Sequence, residues 1–342
     1  MIADLPNQHN TLTSTQNTAH SPLLTDPSVL SSNTASDLIK EAALRYQIEQ
    51  IIQQNESQGI VTSVEITDMR TNRNLMEHNQ ATSHFAASIN KLPIAMLLLQ
   101  DLRADRVSMD DMLSWSAADV RGGYGIYDQP NAPTHATIHD LIFDMLNRSG
   151  NTAVRALVNK TSLGGAMAVN ERLAQYPKLI QTRLQIVGSD KFYLGNTTAA
   201  ESSWIMKQVQ RTKDSYEQFM QQAMATNIFT DFGVRSQLAG NSYITLANKV
   251  GILDDPAGSG TNRHDTGIIY NSHTHHAYEY SLLTSNYAND SAPTVQAETS
   301  LKQIGGLILE LAGDNPQAQI AQPKIGLPKP QAPQYHEERT LY

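Results

Sequence analysis

Ser88 and Lys91 are the residues of this chain whose types and spacing most directly suggest chemistry. Three positions apart at the start of a helix, they share one face. The serine lies at the N-terminal end, where unpaired N–H groups and the helix dipole favour a developing negative charge. A hydroxyl is a weak nucleophile at neutral pH, and an amine that sheds its proton in a dehydrated pocket is one way to activate it. The spacing alone is unspecific, because 27 serines and 11 lysines in 342 residues make roughly one such pair expected by chance. Its setting adds weight: nine of the eleven residues from Leu92 to Leu102 are apolar or proline, too apolar all round for a surface helix. A lysine at the edge of that helix is either a snorkelling structural residue or a working one.

The elements that must position this pair can be read from pattern. A chain of 342 residues, 40% apolar and 17% charged, has ample length for a large core. A net charge of -8 argues against broad phosphate-backbone binding, so no nucleic-acid partner is expected. No apolar run reaches membrane-spanning length. The absence of cysteine excludes disulfides, thiolate metal sites and a cysteine nucleophile. The first residues show neither a basic region nor an apolar segment of a signal peptide.

Residues 1–35 read as a disordered arm, and the prolines beyond Asp314 read as an extended tail over 314–342. The folded domain is expected over 36–313. Ser36 opens a helix to Asn55, and Ile60 to Thr67 and Leu75 to His78 form a hairpin before the central helix. A polar stretch over 104–136 leads to helices at about 137–147, 152–160 and 165–174. Residues 175–196 read as a long loop, and helices resume over 197–224. Three strands follow, at 243–253, 264–270 and 278–284, and the last helix spans 298–312. The order predicts an α+β fold: one antiparallel sheet built from both chain ends and flanked by helices, plus an all-helical lobe inserted over about 104–240.

Three points in this layout coincide with a known set: Ser88-x-x-Lys91, Ser149-x-Asn151, and Lys249-x-Gly251 on a strand before the last helix. Together they resemble the serine β-lactamase and penicillin-binding protein superfamily, and most of all the class A β-lactamase-like proteins. The resemblance covers about 36–313 and is also carried by Leu163-Gly-Gly-Ala-Met-Ala-Val-Asn-Glu-Arg-Leu and Asn196-Thr-Thr-Ala-Ala. It implies that Ser88 attacks a lactam or amide carbonyl, that Lys91 accepts its proton, and that Ser149 passes a proton towards the leaving nitrogen. It further implies that Asn151 holds the substrate amide and Lys249 faces the substrate carboxylate. Gly251 and Ile252 would line the strand edge, with the backbone N–H groups of Ser88 and Ile252 as oxyanion hole. A β-lactam or a D-alanyl cell-wall peptide is the implied partner, acted on by an extracytoplasmic monomer without metal or cofactor.

The sequence departs from the family pattern at three places. Alignment of Thr182-Arg183-Leu184 with the start of the family's long loop puts Gly188 where a deacylating glutamate belongs. Only Asp190 is acidic between Arg172 and Ala200. Val250 replaces the Thr or Ser between lysine and glycine, removing a donor for a substrate carboxylate, and Gly150 replaces an acidic middle residue that mainly supports its loop. Slow deacylation is therefore expected. The alternative is a non-catalytic cell-wall or ligand-binding module on the same scaffold. His273, His275 and His276 cluster with Asp254, Asp255 and Asp265 nearby, but they fall in a turn where the rings can point apart.

Overall fold

Three C-terminal runs rich in β-branched and aromatic residues pair with the strand that precedes the central helix, and this pairing creates the main sheet. The structure, a computed structural model, describes residues 35–188, 191–209, 214–238, 242–255, 260–287 and 291–313. The arm expected before residue 35 and the tail from 314 lie outside the described residues. The first elements are helix α1 (Ala35–Ser57) and strands β1 (Ile60–Asp68), β2 (Arg73–His78) and β3 (His84–Phe85). Helix α2 (Lys91–Arg103) follows, then β4 (Met112–Ser114), β5 (His135–Thr137), α3 (Ile138–Asn147), α4 (Asn151–Lys160) and α5 (Ala166–Leu173). After these come β6 (Arg183–Ile186), β7 (Phe192–Thr197), α6 (Ala199–Val209) and α7 (Ser215–Ala225). The chain closes with β8 (Ile244–Asp255), β9 (Gly260–Asn271), β10 (Ala277–Asn286) and α8 (Ser291–Ala312).

The five-stranded sheet has the order β2-β1-β10-β9-β8 and is antiparallel throughout. Its central strands are buried on both faces, because helices cover both. Leu246, Ile269, Tyr280 and Leu282 pack with Ile48, Ile52, Leu301, Ile304 and Ile308 of α1 and α8. The adjacent residues Ala247, Ile268 and Leu283 point to the opposite face and join the core of the helical lobe. Asn55 of α1 fastens three elements at once, donating 2.9 Å hydrogen bonds to Thr62 of β1 and Ser300 of α8.

In the lobe, α2 is buried from Lys91 to Leu99. This accounts for its lack of a polar face. Its far end is held by Asp101, whose carboxylate accepts from Arg172 of α5 at 2.7 and 2.9 Å. The expected architecture is observed, with two short sheets at the margins of the helical lobe: β3-β7-β6 and β4-β5. The segment 175–196 differs from the expectation of a plain loop, for it contains the β6–β7 hairpin. Six residues of β7 carry only three large apolar side chains, too few to show a period, and their partner β3 is remote in sequence. Local pattern therefore had little to report.

On the lobe side of the sheet, Ser203 of α6 lies between two carboxylates, with Oγ 2.9 Å from Glu65 Oε1 and 2.6 Å from Glu279 Oε2. One hydroxyl proton cannot serve both, and Lys207 Nζ stands 3.4 Å from Glu279 Oε2 and 3.7 Å from Glu65 Oε1. Burial pushes the Glu279 carboxyl up to about 7, Lys207 and the Ser203 hydroxyl pull it down, and Glu65 pushes it up. Between the ordinary carboxylate range and pH 7 the native state keeps a proton that the unfolded chain releases, so stability declines as pH rises through that window. Thermal melts from pH 5 to 8 are expected to show a melting temperature that falls by several degrees, and a flatter profile for Glu279→Gln. An unchanged slope in the variant would assign the effect to other groups.

Candidate active site

Ser88 lies in a 3-10 turn, Ala87–Asn90, that runs directly into α2 at Lys91. Ala87 is held at φ 44, the left-handed region that a residue with a Cβ occupies at a cost. The surrounding structure restrains this turn on three sides. Ala86 N–H donates to Gly195 O at 2.7 Å. Asn90 Nδ2 donates to Leu194 O at 2.5 Å and Asn196 O at 2.9 Å, tying the turn to β7. His264 of β9 lies 2.9 Å from Phe85 O through Nε2, and Thr284 N–H donates to its Nδ1 at 3.2 Å. The two bonds fix the tautomer: Nδ1 accepts, so Nε2 carries the proton and donates. Burial pushes His264 down to about 4, which keeps the ring neutral in this role. His84, packed edge-on to it at 5.8 Å, is pushed down to about 3 by burial and then by His264.

Ser149 ends the turn after α3 and Asn151 is the first residue of α4. Ser149 is at φ 61, a second left-handed non-glycine residue. The next turn of chain is fixed by Asp128, whose carboxylate caps α4. It accepts from Thr152 N–H at 2.7 Å, from Asn151 N–H at 3.0 Å, and from Gly125 N–H at 2.9 Å. An acidic side chain at this helix start satisfies orphan donors and faces the positive end of the dipole.

These supports bring the sequence-predicted residues together. Lys91 Nζ donates to Ser149 O at 2.6 Å, Ser149 Oγ at 2.9 Å and Asn151 Oδ1 at 2.7 Å. Lys249 Nζ, from β8, donates to the same Ser149 Oγ at 3.0 Å and to Val250 O at 2.9 Å. Ser149 Oγ donates to Ser88 Oγ at 2.8 Å. With both hydroxyl lone pairs of Ser149 taken by ammonium groups, its single proton has one place left to point, towards Ser88. Lys91 is 0% and Lys249 1% exposed, so both cations rely on protein acceptors in place of water. Lys249 also lies 5.7 Å from the Phe229 ring, which packs edge-on against Tyr124 at 5.2 Å.

Gly251 lets β8 approach the Ser88 turn. A Cβ there would stand 3.0 Å from Ile89 Cγ1 and 3.1 Å from Ala86 O. Ile252 follows, half-buried and paired with Arg263 of β9, and Val250 is buried. Gly188 sits beyond β6, where its N–H and that of Val187 donate to Lys191 O, and Asp190 lies outside the described residues. His273, His275 and His276 lie between β9 and β10, where His275 Nδ1 meets the Tyr270 hydroxyl at 3.1 Å. No group able to hold a metal occurs among the described residues. Sequence reasoning missed Asp128, Asn90, His264 and Phe229. Only Asp128, an acidic residue following a glycine-rich turn, left a visible mark in the sequence.

The model of the β-lactamase enzyme family matches residues 43–311. Among curated proteins none matches this chain. Several solved structures share the fold. A mutant of PBP-A in an acyl-enzyme complex with penicillin G has a TM-score of 0.64 at 14% identity, covering 79% of this chain and 96% of that one. The β-lactamase of Sphaerobacter thermophilus has a TM-score of 0.64 at 18% identity, covering 79% and 98%. An ancestral class A β-lactamase has 0.64 at 17% identity, covering 78% and 99%.

Removing the Asp128 carboxylate strands three N–H donors beside the site. Asp128→Ala is expected to cost about 3 kcal/mol in urea unfolding, and Asp128→Asn less, because its amide oxygen still accepts. Equal stability of Asp128→Ala and the parent would contradict this reading of the cap.

Proposed function

Because this chain belongs to the β-lactamase enzyme family, we propose that it is an active-site-serine hydrolase that forms an acyl-enzyme with β-lactams or with D-alanyl peptides of the cell wall. The observation that carries the reading is the continuous hydrogen-bonded path from Ser88 through Ser149 to Lys91. A binding module has no need of two buried lysines converging on one hydroxyl, so the path favours an enzyme.

In the proposed cycle Lys91 first gives up one proton to solvent, the Ser149 hydroxyl turns to donate to the amine so formed, and the Ser88 proton follows through Ser149. Ser88 Oγ bonds to the carbonyl carbon, and the backbone N–H groups of Ser88 and Ile252 receive the negative charge on oxygen. Donors fixed by a helix start and a strand edge need no rearrangement when that charge appears. The carbon–nitrogen bond then breaks, and Ser149 hands the leaving nitrogen a proton that Lys91 replaces. Asn151 holds the substrate amide and Lys249 faces its carboxylate, with Gly251 leaving the strand edge close to the reacting carbonyl. Val250 offers that carboxylate no hydroxyl.

Release of the acyl group is proposed to be slow. The hairpin segment 174–200 contains no acidic residue other than Asp190. Glu201, just beyond it, spends its carboxylate on the N–H groups of Ile180, Gln181 and Thr182 at 2.6 to 2.9 Å. No helix among the described residues is long and apolar enough to cross a membrane. An extracytoplasmic site of action is proposed from the family and the cell-wall substrate.

The test is incubation with benzylpenicillin followed by intact mass and peptide mapping. One penicillin is expected on Ser88, persisting for many minutes, with none on Ser88→Ala. Lys91→Met should slow acylation by about 100-fold or more, the usual weight of a general base. An unmodified wild-type protein that also fails to turn over a chromogenic lactam would defeat the proposal, and rapid multiple turnover would defeat its slow-release part.

A further inference from the structure

Two glycines beside the site have backbone angles that do not call for glycine. Gly125 is at φ -66 and Gly150 at φ -57, conformations open to any L-residue. What they have in common is a neighbour. A Cβ on Gly150 would stand 1.9 Å from Asp144 Oδ2, and a Cβ on Gly125 2.5 Å from the same atom. Gly150 is therefore kept bare to admit this side chain, whereas Gly125 is also crowded by Gly150 Cα at 2.5 Å and Asp128 Oδ2 at 2.7 Å. That chain enters from α3, one and a half turns before Ser149.

Asp144 is 1% exposed. Its Oδ1 accepts from Ile126 N–H at 2.8 Å, while its backbone carbonyl accepts from Arg148 and Gly150 N–H, both at 3.0 Å. Its Oδ2 is buried without a hydrogen-bond partner. An unsatisfied buried carboxylate oxygen is costly, and a turn left without a side chain at 150 to admit it is unlike a packing accident. Asp144 thus joins the 125–126 segment of the lobe loop to the turn that carries Ser149.

We propose that Asp144 is a positioning residue for the Ser149-Gly150-Asn151 turn, with its carboxylate filling from α3 the place a side chain at position 150 would take. The inference rests on the function proposed above for Ser149 and Asn151 and deepens it. The groups facing Asp144 agree with an acid set into the site. Burial pushes it up to about 6, the Ile126 N–H draws it down, Asp128 pushes it up, and Lys91 and Arg148 draw it down. Lys91, which holds Ser149 and Asn151, therefore senses the charge on Asp144. Beyond its volume, the carboxylate supplies at this place the oxygen that accepts from Ile126 N–H.

The test relocates the carboxylate. Acylation by benzylpenicillin and thermal melting are measured for the full chain as wild type, Asp144→Ala, Gly150→Asp, Asp144→Ala/Gly150→Asp and Asp144→Ala/Gly150→Ala. Gly150→Asp alone should lose about 100-fold in acylation rate, the scale of an ångström-sized misplacement, and Asp144→Ala about tenfold. The double variant with Asp at 150 should recover to within about fivefold of wild type, whereas the one with Ala at 150 should not, because it returns only a Cβ and no acceptor. No recovery with Asp at 150, or equal recovery with Ala, would overturn the proposal. If the wild type forms no adduct, the proposed function falls, and melting still decides this inference. Gly150→Asp should melt about 5 °C or more below wild type and the Asp double variant should regain most of that loss. Additive losses in melting would overturn it.

Discussion

The structure depends on how two ammonium groups can be buried around a single hydroxyl. Lys91 arrives from the first turn of the central helix and Lys249 from an edge strand of the sheet, and both donate to Ser149 Oγ. Each cation left uncompensated in such a place would cost several kcal/mol. The acceptors are therefore arranged in number: a backbone carbonyl and an amide oxygen for Lys91, and the Val250 carbonyl for Lys249. Once these are satisfied, the proton of Ser149 is directed to Ser88 by exclusion. Sheet and lobe meet at this hydroxyl, and neither can shift without leaving a charge unpaired.

That requirement explains the strain on either side of it. Ala87 and Ser149, both with side chains, are held in the left-handed region beside the paired Ser88 and Ser149 hydroxyls. Such conformations persist only where the surroundings over-determine them. Asn90, His264 and the Ala86 N–H do so for the Ser88 turn, and the cap from Asp128 does so for the start of α4. His264 suits its task because burial keeps it neutral and its two nitrogens have fixed, opposite roles. The groups that set the geometry come from β7, β9 and the lobe loop, so the fold is engaged at some distance from the chemistry.

Much of this was legible in the sequence. The hydrophobic runs at 243–253, 264–270 and 278–284 are the three paired C-terminal strands, and the apolar stretch after Lys91 is the buried helix α2. Residues 88, 91, 149, 151 and 249 were marked by type and order, and they do converge. The β6–β7 hairpin was not legible, because its strands are short and are stabilised by Asn90 and β3, remote in sequence. Nor were the supports. His264 and Asn90 carry no periodic signal, and what each contributes is a bond to the backbone of a segment some hundred residues or more away. The glycine between Ser149 and Asn151 read as a missing acid, whereas the carboxylate lies alongside it on the preceding helix.

Whether one cleft gathers the two serines and two lysines for attack on a carbonyl can be seen in a crystal of the protein soaked with benzylpenicillin. Continuous density is expected from Ser88 Oγ into the opened lactam, with the former lactam nitrogen beside Ser149 and the penicillin carboxylate facing Lys249. A bare Ser88 with the two lysines pointing to different surfaces would contradict it.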